Sequence, residues 1–83
     1  MNNKIAEMVR EAFERELGAK FSLLEIKAMT RVIPCDIDDD VYTLVGDNGI
    51  LFVARLLKAP NGMTNGVWVY EQSLAMKMRI KTR

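Results

Sequence analysis

Along the first seventeen residues the apolar side chains Ile5, Met8, Val9, Ala12, Phe13 and Leu17 recur at steps of three and four, which sets them on one stripe of a helix over about residues 2–17. Asn2 or Asn3 can cap its start, Glu11 and Arg15 stand four apart as a favourable ion pair, and Gly18 can take the left-handed conformation that ends a helix. Phe21 to Ile26 carries two further start signals. Ser22 and Glu25 have capping-box spacing, and Phe21 and Ile26 have that of a hydrophobic staple. A second helix is predicted over 23–31, ending before Pro34, whose ring disfavours helical geometry at Ile33.

After the acidic run Asp36-Ile37-Asp38-Asp39-Asp40 the pattern supports two readings. Val, Tyr and Thr at 41–45 favour a pleated surface, and Asn48-Gly49 is a hairpin signal, which together predict a strand. Ile37, Val41, Leu44 and Val45 also fall at helical spacing, behind aspartates that suit a helix N-terminus and ahead of an Asn-Gly stop, which predicts a third helix over 37–47. Both readings continue alike, with strands over 50–58 and 66–71 joined by a loop rich in proline, asparagine and glycine. In the last segment Leu74, Met76, Met78 and Ile80 alternate with Lys77, Arg79 and Lys81, the period of a strand over 74–81 with one apolar and one basic face; a frayed basic tail is the rival reading.

A helix, a capped second helix, a third helix closing at Asn48-Gly49-Ile50-Leu51, then two strands around a loop resembles the winged helix-turn-helix family over about residues 5–71. The fold expected is α+β: N-terminal helices followed by an antiparallel β-hairpin or sheet, with the winged-helix-like arrangement preferred over two helices packed on a β-meander. The resemblance implies nucleic-acid binding, but not by the family's usual route. Its third helix normally presents Arg, Lys, Asn or Gln to the major groove, and here that stretch offers Asp38, Asp39, Asp40, Thr43 and Asp47, which phosphates would repel.

Charge sharpens this picture. The net charge is only +1, yet residues 1–50 hold six basic against ten acidic side chains, and residues 51–83 hold six against one. Such polarity suggests surfaces of opposite sign. Nucleic acid would then be met by Arg55, Lys58, the wing residues Asn61 and Asn65, and the basic row Lys77, Arg79 and Lys81, unless those charges only keep a sheet face solvated. The expectation of a different class is a protein-interaction module, an inhibitor or adaptor of mobile-element type. It would present Asp36, Asp38, Asp39 and Asp40, or the aromatic pair Trp68 and Tyr70, to a protein partner. Trp68 and Tyr70 share one strand face and Val67 and Val69 the other, so the aromatics are exposed if the valines face the core and are core if they do not.

Catalytic equipment is sparse. There is no histidine, and the one cysteine, Cys35, sits beside Asp36, whose charge disfavours the reactive thiolate. Asp36, Asp38, Asp40 and Asp47 match four positions of a calcium-loop register, but Val41 replaces the turn glycine and Asp47 the bidentate glutamate. No catalysis, metal or cofactor is therefore expected. At 83 residues, with 49% apolar side chains, no apolar run of spanning length and no secretory signal at the N-terminus, the sequence reads as one cytoplasmic, non-membrane domain, compatible with homodimerisation.

Overall fold

The structure, a computed structural model, describes residues 1–33 and 39–73. Helix α1 runs Asn3–Leu17. The Asn2 side chain caps it by accepting from the Ile5 N–H at 2.8 Å, and Gly18 closes it at φ 66° with its N–H donating to the Glu14 carbonyl. Helix α2, Leu23–Lys27, opens on the predicted capping box: Ser22 Oγ accepts from the Glu25 N–H at 3.1 Å, and Glu25 Oε1 accepts from the Ser22 N–H at 3.0 Å. Strands β1 (Thr30–Val32), β2 (Asp40–Val45), β3 (Ile50–Lys58) and β4 (Thr64–Ser73) form one antiparallel meander in chain order.

The α+β class is therefore as expected, while two elements differ. Of the two readings of this stretch the strand is the one formed, Asp40–Val45 being β2, and the third helix over 37–47 that the winged-helix arrangement requires is not. Helical spacing at Val41, Leu44 and Val45 was genuine but outweighed. As a strand the same stretch sends Val41 to one apolar face and Tyr42 and Leu44 to the other, and both faces have apolar neighbours on β3. The second helix also ends at Lys27 rather than near 31. Thr30 and Val32, β-branched, pair with Thr43 and Val41 as β1. Among the described residues two α-helices and a four-stranded meander result, with β2 where a recognition helix would lie. Strand β4 extends beyond the expected 66–71, and the strand expected over 74–81 lies outside the described residues.

The main core lies between the helices and one sheet face. Ala6, Val9, Ala12 and Phe13 of α1, with Ile26 of α2, pack on Ala54 and Leu56 of β3 and Val69 of β4. Phe13, Phe21 and Phe52 close one end of this layer edge-to-face, with ring centroids 5.0–5.9 Å apart. Arg15 hydrogen-bonds to the adjacent Glu16, not to Glu11. A smaller apolar cluster occupies the opposite, outer face: Val41, Leu51 and Val53, flanked by Val32 and Tyr70.

The β2–β3 connection is a tight turn in which Asn48 and Gly49 both have positive φ, 61° and 74°, as the Asn-Gly signal implies. Gly46, at the foot of this turn, is needed for space. A Cβ there would stand 2.5 Å from Cε2 of Phe52, a ring held in the aromatic trio. Gly46→Ala is expected to destabilise the fold by about 1–3 kcal/mol, the usual range for overpacking, measured by urea denaturation.

Candidate functional site

Register sets which side chains meet on the outer face. Pairing of Arg55 with Trp68 and of Val53 with Tyr70, combined with the two-residue period of a strand, sends Arg55, Trp68 and Tyr70 to the side away from the helices. Val67 and Val69 point the other way and pack against the main core, so the aromatic pair is the outward pair. Trp68 is 54% exposed, its ring centroid 5.1 Å from that of Tyr70 and inclined at 48°. The Arg55 guanidinium carbon lies 5.2 Å from the Trp68 ring centroid, a cation–π contact. Beside this trio runs a shallow groove of about 200 Å³ walled by β1, β2, β3 and β4 side chains, including Val41, Thr43, Val53, Tyr70 and Gln72.

The remaining residues of interest are distributed differently. Lys58 belongs to the helix side, where its Nζ lies 3.5 Å from Asp40 Oδ2 and its backbone N–H donates to Asp39 Oδ1 at 3.2 Å. Arg31 Nη2 donates to Asp40 Oδ1 at 2.7 Å. Asp40 thus ties β2 to both its neighbours, and Asp39 secures the end of β3. Asn61 is engaged in the β3–β4 turn, its Oδ1 accepting from the Met63 N–H at 3.0 Å. Asn65 is exposed where the β3–β4 register shifts, between the Lys58–Thr64 and Leu57–Gly66 pairs. Arg55, Trp68 and Tyr70 are brought together; Lys58, Asn61 and Asn65 are not with them. Asp36, Asp38, Lys77, Arg79 and Lys81 lie outside the described residues.

Sequence reasoning missed Arg31, which it assigned to the second helix, and the β1 and β2 walls of the groove. Its usable signal was the alternation of Thr30-Arg31-Val32 against Val41-Tyr42-Thr43.

The hydrogen bond from Arg31, with the charges of Lys58 and Arg31, holds the Asp40 carboxyl below its ordinary pKa despite partial burial acting the other way. Asp40 in turn raises the Arg31 guanidinium. Among the described residues there is no group of three or more side chains able to hold a metal ion, and no helix is long and apolar enough to cross a membrane. No protein family matches the chain, nor does any curated protein or solved structure.

Because folding lowers the Asp40 pKa, its stabilising contribution is fully present above the ordinary carboxylate range and is lost as pH falls through the lowered value. Asp40→Asn is expected to be less stable than the parent at pH 7. In urea denaturation across pH, that gap should narrow once pH drops below about 4.

Proposed function

We propose that this chain is a small, non-enzymatic accessory binding protein that holds single-stranded nucleic acid against the outer face of its sheet. The observation that carries the reading is the grouping of Arg55, Trp68 and Tyr70 on that face. A strand-borne aromatic pair gives unpaired bases a stacking surface that does not depend on sequence, and an adjacent cation favours the phosphate backbone. In the sequence the basic row Lys77, Arg79 and Lys81 comes after β4, adding cationic side chains to the same end of the chain as the platform's strand. Single strands suit the site better than duplex, whose bases are already stacked and whose grooves are read by inserted elements. The recognition-helix route has no counterpart in β2, and the contact falls to the sheet.

A protein partner is the second reading, favoured by the large apolar side chains exposed on the same outer face, Val45 at 65% and Leu57, two residues along β3 from Arg55, at 38%. The acidic run supports that reading less than the aromatics do, since Asp39 and Asp40 are engaged within the fold.

Trp68 is the only tryptophan and so reports on the platform directly. Oligothymidylate is expected to quench its fluorescence, with affinity falling as salt rises, and an equivalent duplex is expected to bind more weakly. Trp68→Ala should weaken single-strand binding, followed by anisotropy of a labelled oligonucleotide, by about 1–3 kcal/mol. Absence of any quenching at low salt would contradict the proposal.

A further inference from the structure

Arg55 is set apart by what it lacks. Arg31 and Lys58, the other two cations among the described residues of the sheet, share Asp40 as a partner. Arg55 makes no hydrogen bond or ion pair with any described residue; its guanidinium meets the Trp68 ring instead. Its Nε–H is enclosed and has no acceptor, and the residue is one of those that line the outer groove. A guanidinium has five N–H donors and no acceptor, and leaving an enclosed one unpaired is costly. Strand β3 is otherwise apolar from Ile50 to Leu57, so the position departs from what packing alone would select.

The groove around it fits a particular kind of occupant. At about 200 Å³ it is below the roughly 300–1,000 Å³ of pockets that enclose whole small molecules. It therefore suits one group of a longer ligand lying along the face. Among the described residues lining it, Arg55 is the single charged side chain, and Thr43, Tyr70 and Gln72 add neutral hydrogen-bonding groups. A positive centre with no carboxylate among the described residues that line the groove, flanked by neutral polar groups and beside a stacking surface, is complementary to an oxyanion attached to a planar group.

We infer that the groove is the seat of one backbone phosphate of the bound single strand, gripped by Arg55, while the adjoining base stacks on Trp68 and Tyr70. This deepens the proposed function and rests on it. Stacking on Trp68 orients the guanidinium, so Arg55 acts as a directed donor where lysine would act as a point charge.

The test pairs Arg55→Gln and Arg55→Lys with oligothymidylates carrying one neutral methylphosphonate linkage, moved along the strand. Binding is read by anisotropy of labelled oligonucleotide, and circular dichroism melting confirms that each variant is folded. Arg55→Gln should weaken binding about ten- to a hundredfold, the range of a charge-assisted hydrogen bond. It should also lower the slope of log affinity against log salt by about 0.7, the loss of one single-strand phosphate contact. Arg55→Lys should restore the slope but not the full affinity. At one linkage position the neutral substitution should abolish the difference between parent and Arg55→Gln. If Arg55→Gln leaves affinity and slope unchanged while oligothymidylate still quenches Trp68, the phosphate seat is wrong and the stacking reading stands. If no oligonucleotide quenches Trp68, both fall.

Discussion

Strand β3 is buried on both of its faces, Ala54 and Leu56 against the helices and Leu51 and Val53 on the outer side, the last two each only 2% exposed. A strand enclosed on both faces cannot slip by one residue without exchanging its two apolar sets, so β3 holds the register of β2 and β4 beside it. Tyr42 and Leu44 of β2, and Val67 and Val69 of β4, then fall on the helix side. Everything on the outer face follows from the same alternation, including the position of Arg55 opposite Trp68.

The polar interactions divide along that plane. On the helix side, Asp40 gathers Arg31 and Lys58 and joins three strands through one carboxylate, while Asp39 holds the end of β3. These charges are satisfied within the chain and serve the fold. On the outer side, Arg55 meets an aromatic ring in place of a carboxylate. The main-chain turn at Asn48-Gly49 and the absence of a side chain at Gly46 let β2 return as β3 with Phe52 close against the turn, at the aromatic end of the main core.

Local signals in the sequence carried much of this. The Asn2 cap, the stop at Gly18 and the Ser22/Glu25 capping box all appear where their chemistry predicts, because each depends on residues three or four apart. The stretch 37–47 was ambiguous for a physical reason. Val41, Leu44 and Val45 fit helical spacing, and Val41-Tyr42-Thr43-Leu44-Val45 fits a strand with two apolar faces; only partners on β3, distant in sequence until the turn closes, decide between them. Strand β1 was hidden by the good helix start at Ser22, since nothing local shows that Thr30 and Val32 will find Thr43 and Val41. The site was half legible. Spacing placed Trp68 and Tyr70 on one face and composition flagged Arg55, but their union required the β3–β4 register, and the same register separated Lys58 from them.

Whether nucleic acid lies on the outer sheet face can be read residue by residue from backbone and indole amide resonances followed during titration with a short oligothymidylate. The largest shifts are expected on Arg55, Trp68 with its indole N–H, Tyr70 and Gln72, with α1 little affected. Shifts centred on α1 or on the 59–63 turn, or no shifts at low salt, would contradict that placement.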